Sequence, residues 1–201
     1  MKQNKHFSTY RLTVLAILTA LTIVLQLMSG MLTIGEVSIT LSLVPIVIGA
    51  ILLGPLAGTF LGAVLGAVNF IASFSNPFLL LLFQSSPVIY ILLCFGKTMA
   101  AGAVSGWIPR LFRKKDSFVG VCLSSLAAPV VNTGIFFAAM LIFFRAPMIA
   151  FFGDMASANV IAFVALTLIG INFIVEFAIN AILCPAIHLI ITVARKSRSK
   201  S

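Results

Sequence analysis

The chain has 201 residues, 61% of them hydrophobic and 8% charged, with a mean hydropathy of +1.21. A water-soluble domain of this length could not bury that much apolar surface, so the composition excludes one and points to an integral membrane protein. The formal net charge of +9 falls in short clusters beside apolar runs, which fits membrane orientation better than nucleic-acid binding.

The expected fold is all-α, a bundle of six transmembrane helices forming one membrane domain over 1–201. MKQNKHFSTYR before an apolar run looks like the start of a signal peptide. The run ends Leu27-Met28-Ser29-Gly30 without a small-residue cleavage site, so it is read as a retained first helix, about 10–28. A loop, 29–40, carries Gly30, Gly35 and Glu36 and ends in an extended-looking SITL. The second helix, about 41–53, falls short of the ~20 residues a span needs. It either starts earlier, near Val37, or lies tilted inside the bundle. Gly54-Pro55 breaks the chain before the third helix, about 56–72. Residues 73–84 read as a loop or partial helix broken at Asn76-Pro77. The fourth helix is about 87–112, the fifth about 118–144, and 145–159 is a further loop. The sixth, about 160–194, would be ~52 Å long, more than a bilayer requires.

The basic residues orient this bundle. Lys2, Lys5 and Arg11 precede the first helix, and Arg110, Arg113, Lys114 and Lys115 join the fourth to the fifth. Arg195, Lys196, Arg198 and Lys200 end the chain, and Arg145 alone falls on the other side. The positive-inside rule then places both termini in the cytoplasm, a parity that six spans satisfy. Gly54, Gly58, Gly62 and Gly66 recur every fourth residue, and Gly102 and Gly106 repeat the spacing. Such stripes let neighbouring helices approach closely, for bundle packing or as a sliding surface. Cys94, Cys122 and Cys184 lie in apolar runs without CxxC spacing. They are read as small core hydrophobes, neither disulfides nor metal ligands.

Polar groups at membrane depth carry the functional signal. Lys97 lies in QSSPVIYILLCFGKTMAAGAVSGW, and a lysine at a membrane-helix centre costs on the order of 2.5–3.5 kcal/mol. It needs a protein partner, a water-filled cavity or a ligand. Tyr90 is on its face, seven residues away. The sixth helix carries Asn172, Glu176 and Asn180 four apart, a stripe that Cys184 and His188 continue; the fifth carries Asn132 and Thr133, and the third ends with Asn69. Counted from the basic boundaries at the helical rise, Lys97 lies ~20 Å deep, Asn180 ~22 Å, Asn132 ~26 Å and Glu176 ~28 Å. All four fall at or beyond the midplane of a ~30 Å core. Lys97, Asn132, Tyr90, Asn180, Glu176 and Asn69 are therefore the candidate lining of a small polar-ligand pocket opening outward. The structural alternative is a Lys97–Glu176 ion pair with the asparagines bonding across helices. An autonomous transporter or channel would need a coupling-ion path, for which Glu176 is the one well-placed acid. No P-loop, HExxH motif or Ser-His-Asp set can be assembled, and His6 and His188 are far apart. The expectation is a protein without catalytic residues, metal or cofactor.

Three stretches resemble a known family. RLTVLAILTA, with Ala16 and Ala20 in AxxxA spacing, LVPIVIGAILLGPLAGTFLGAVLGAV and APVVNTGIF with Asn132 are similar to the S components of energy-coupling factor (ECF) vitamin transporters. The resemblance extends over nearly the whole chain. It implies a non-enzymatic, substrate-binding membrane subunit of a prokaryotic cell membrane, energised by a membrane-embedded T component and two ATPase subunits. That would account for the missing nucleotide motif. It further implies that Ala16 and Ala20 form the docking face for the T component, and that loops 29–40 and 73–84 close over the ligand. Lys97 calls for a ligand carboxylate, and Asn132, Asn180 and Tyr90 suit amides and hydroxyls. Folate and biotin also carry carboxylates, and another vitamin or precursor stays open; pantothenate, with one carboxylate, one amide and two hydroxyls, ranks first, and the chain looks most like pantothenate-type members.

Overall fold

The computed structural model describes residues 3–29, 33–34, 37–38, 40–112, 117–153 and 159–198. Its regular structure is helical apart from a two-stranded antiparallel ribbon in which Thr33 faces Ser38 and Ile34 faces Val37. Among the described residues, five helices are long and apolar enough to cross a membrane, in agreement with an all-α multi-pass membrane protein. Helix α1 (Gln3–Ser29) turns Leu18, Thr22, Gln26 and Ser29 inward at three- and four-residue spacing and leaves Leu12, Ile17, Val24 and Leu27 exposed. One polar-edged stripe on an otherwise apolar helix is what a span needs when one side meets protein and the other lipid.

Helix α2 (Leu43–Leu53) has eleven residues, and eight of them are buried. It lies largely inside the bundle, so its shortness is no defect. The Arg11 guanidinium donates to the Leu53 carbonyl at 2.8 Å, which satisfies one of the orphan acceptors at a helix C-terminus and sets a cation against its negative pole. Gly54 then turns the chain at φ +105°, a backbone region open to glycine. At the other end of α2, Ser42 Oγ donates to Gln26 Oε1 at 2.6 Å and Leu41 N–H to Ser29 Oγ at 3.3 Å, tying the loop back to α1.

Helices α3 (Pro55–Ser73), α4 (Pro77–Ser85) and α5 (Pro87–Trp107) each begin on proline, where the missing N–H costs nothing and φ is already helical. Asn76 caps α4 by accepting from Leu79 N–H at 3.0 Å. Asn76-Pro77, read in the sequence as a break in a loop, is therefore a helix start. A short 3-10 turn, Ile108–Leu111, follows α5, then α6 (Phe118–Ile142) with Pro129 inside it. The expected loop 145–159 contains α7 (Arg145–Phe152). Phe78 of α4 is fully buried and packs on Phe151 and Phe152 of α7, ring centroids 5.3 and 5.1 Å away. That tertiary contact is what a periodicity reading of either short segment lacks.

The expected sixth helix is interrupted. A turn at Val160–Ala162 runs into π-helical Phe163–Leu168, and only then does α8 (Gly170–Arg198) begin. Ile169 N–H reaches back to the Val164 carbonyl at 3.1 Å. A Cβ at Gly170 would stand 2.8 Å from the Ala165 carbonyl oxygen, so glycine is what lets the widened turn pass.

Two features align the walls of the bundle. First, α3 and α5 run antiparallel with backbones in contact: Gly58 meets Gly102, Gly62 meets Thr98, and Gly66 lies against Cys94 and Phe95. The glycine stripe is thus a packing seam. Second, Cys122 of α6 and Cys184 of α8 form a disulfide, their Cα atoms 5.3 Å apart. This corrects the reading of these two cysteines as unpaired core residues; Cys94 alone is free, and buried. Their separation of 62 residues gives no sequence signal, and only the packing of α6 on α8 brings them together.

Candidate functional site

The seam between α3 and α5 brings Asn69 level with the face of α5 that carries Tyr90, Cys94 and Lys97. Helices α6 and α8 close the other side. They leave a cavity of about 570 Å³, within the size range of small-molecule sites. Tyr90, Lys97, Asn69, Asn132 and Glu176, five of the six residues singled out in the sequence, line it. Tyr90, Leu93, Cys94, Phe136 and Ile169 belong at once to its wall and to the aromatic-rich core cluster around Phe78 and Phe144. Rigid packing therefore extends to the cavity surface.

Asn180 does not line the cavity. It is 1% exposed; its Nδ2 donates back to the Glu176 carbonyl at 2.9 Å, and Ser125 Oγ donates to the Asn180 carbonyl at 3.1 Å. One turn of α8 separates it from Glu176, about 6 Å along the axis, and in that turn α6 and α8 touch. Depth counting cannot resolve that distance. Asn180 joins helices rather than facing the cavity.

Five further polar residues line it: Thr40, Ser75, Asn76, Thr133 and Asn172, the last a turn from Glu176. Asn172 and Thr133 were visible on the polar faces of their helices. Thr40 and Asn76 sit at the edges of the two segments that flank α2 and α4, where sequence periodicity says nothing about direction. Just past the π-helical turn, Ile169, Asn172, Phe173 and Glu176 all line the cavity; such turns are frequent at functional sites.

The charged groups are arranged without direct pairing. Lys97 is partly exposed to the cavity, and its Nζ lies 4.7 Å from the centroid of the Phe136 ring, within cation–π range. Among the described residues it makes neither a hydrogen bond nor an ion pair. The internal Lys97–Glu176 ion pair, the structural alternative, is thus not formed. Glu176 is 4% exposed and accepts from Thr40 N–H on Oε1 at 2.7 Å. An ammonium beside an aromatic ring, with carboxamides and a carboxylate around the same space, can hold a small polar anion. No group of three or more histidine, cysteine or acidic side chains among the described residues could hold a metal ion.

A family model for the ECF transporter substrate-specific component matches residues 10–188. The chain belongs to that family. No curated protein matches the chain. Substrate-specific components are transport proteins, not enzymes. They bind small-molecule substrates and work with a membrane T component and ATPases. The cavity between α3, α5, α6 and α8 is large enough for a small molecule.

Proposed function

We propose that this substrate-specific component captures a vitamin, pantothenate, and that Lys97 anchors its carboxylate. The observation that carries the reading is the unpaired Lys97 ammonium in a cavity of about 570 Å³. Removing an ammonium from water is costly unless an anion meets it, and no described side chain does. Asn132, Asn69, Tyr90 and Glu176 line the same space and suit the amide and hydroxyls of pantothenate. Under the positive-inside rule the end of the bundle with Arg11, Arg110 and Lys196 is cytoplasmic, together with both termini. The ligand then enters from outside a prokaryotic cell membrane.

Ala16 and Ala20 are the proposed docking face for the T component, which together with two ATPase subunits completes the transporter. Both alanines are exposed on α1, flanked by exposed Leu12, Ile17 and Leu21. Small residues four apart between larger apolar ones form a groove that another membrane helix can enter.

The test is calorimetric titration of pantothenate into the detergent-purified protein, with mass spectrometry of any small molecule released on unfolding. Lys97→Met keeps a long unbranched side chain while removing the charge. Leaving a ligand carboxylate buried and unpaired costs about 3–5 kcal/mol, so pantothenate affinity is expected to fall at least ~100-fold. Unchanged affinity in Lys97→Met would remove Lys97 from the site.

A further inference from the structure

Two buried acceptors in the cavity lack donors. Oδ1 of Asn132 and Oε2 of Glu176 accept no hydrogen bond among the described residues. Each residue is 4% exposed, and each lines the cavity. Buried acceptors left unsatisfied carry their full desolvation penalty, so the cavity favours a ligand that donates. Glu176 is further constrained. Its Oε1 is already engaged by Thr40 N–H at 2.7 Å, which fixes the carboxylate and leaves Oε2 as the open acceptor. Among the described lining residues Lys97 is the one cation and Glu176 the one anion. They share the cavity without pairing, so it has a positive wall on α5 and a negative wall on α8.

We infer that Glu176, held by Thr40, and Asn132 are specificity-determining acceptors: they select a monocarboxylate whose other end carries hydroxyl or amide donors, and Glu176 rejects a second carboxylate. This rests on Lys97 anchoring the ligand carboxylate. An anion seated at Lys97 is repelled by Glu176 unless its remaining groups donate toward Oε2, so one orientation is favoured. A ligand with acidic groups at both ends cannot satisfy both walls. Pantothenate meets the requirement, because its hydroxyls and amide N–H lie away from its carboxylate.

Three matched probes test this by calorimetry on the full chain in detergent: pantothenate, its analogue with both hydroxyls replaced by hydrogen, and its analogue with the terminal hydroxymethyl oxidised to a carboxylate. For the unsubstituted protein, the dehydroxylated probe is expected to bind about 10- to 100-fold more weakly, as for lost hydrogen bonds to a charged acceptor. The dicarboxylate is expected to bind at least ~100-fold more weakly. In Glu176→Gln the repelling charge is gone and the amide can donate, so the dicarboxylate penalty should shrink at least ~10-fold and the dehydroxylation penalty should also narrow. A purely structural role would weaken all three probes alike and leave their ratios unchanged, which overturns the inference. If Glu176→Gln does not purify as a folded protein, Asn132→Leu is read by its dehydroxylation ratio: narrowing supports the inference and an unchanged ratio overturns it. Pantothenate binding that depends on Lys97 but ignores hydroxyls and added charge overturns this inference alone. Absence of binding by all three probes overturns the pantothenate reading and this one with it.

Discussion

An alanine at Gly62 tests whether the α3–α5 seam builds the cavity. The added Cβ would collide with the Thr98 carbonyl oxygen and stand 2.7 Å from the Thr98 carbonyl carbon and 2.8 Å from Met99 Cα. All three atoms are backbone, so none can turn aside. Carbon pairs pack best at about 3.5–4.0 Å, and the two helices must therefore part by about 0.8 Å at this point. Overpacking on this scale costs about 1–3 kcal/mol. A helical Gly→Ala change also gains about 1 kcal/mol from backbone entropy, which would mask part of the loss. Gly134→Ala cancels that term: it lies on α6, and its Cβ would meet nothing within 4 Å. The Gly62→Ala protein should be about 1–3 kcal/mol less stable than Gly134→Ala, a gap of roughly 2–12 °C in Tm for a chain of this size. Ligand affinity should fall with it, since Asn69 and Lys97 stand on the two helices that separate. Thermal unfolding in detergent and calorimetry read both effects. A Gly62→Ala protein that melts with Gly134→Ala and binds normally would refute the seam argument.

Ala16→Trp should leave ligand affinity and thermal stability unchanged while weakening co-purification with the T component, because Ala16 is exposed and outside the cavity wall. Normal assembly would sink the docking assignment. The Cys122–Cys184 bond predicts that alkylation of the unfolded, unreduced protein labels one of its three cysteines, Cys94, read as an intact-mass shift. Three labels would contradict the pairing. Substituting Cys184 with alanine should lower stability by about 2–4 kcal/mol, as loss of a native cross-link typically does.

Much of the candidate site could be read along the chain because intramembrane polar groups are rare. Lys97, Tyr90, Asn132, Asn69 and Glu176 stand out against apolar surroundings, and counting helical rise from the basic boundaries brings Lys97, Asn132 and Glu176 to or beyond the midplane. That method has an error of about a turn, since it ignores tilt and the bending that prolines inside helices, here Pro129 and Pro185, bring. Asn180 is lost to that error: it lies one turn beyond the cavity, against Ser125. Thr40 and Asn76 were missed for a different reason, because the direction of a side chain at the edge of a connection depends on what it packs against.

The amino-acid sequence by itself determined membrane class, the apolar helices and the residues with unusual chemistry, because burial of apolar area and the cost of charge in lipid are properties of composition and spacing. The tertiary structure decided which of those residues meet. Backbone contact across the glycine seam, the π-helical turn ahead of Gly170 and the α6–α8 clamp at Cys122–Cys184 and Ser125–Asn180 are long-range events. Among the described residues they leave Lys97 without an ion pair and give Glu176 a backbone partner at Thr40, and neither outcome follows from any local pattern in the chain.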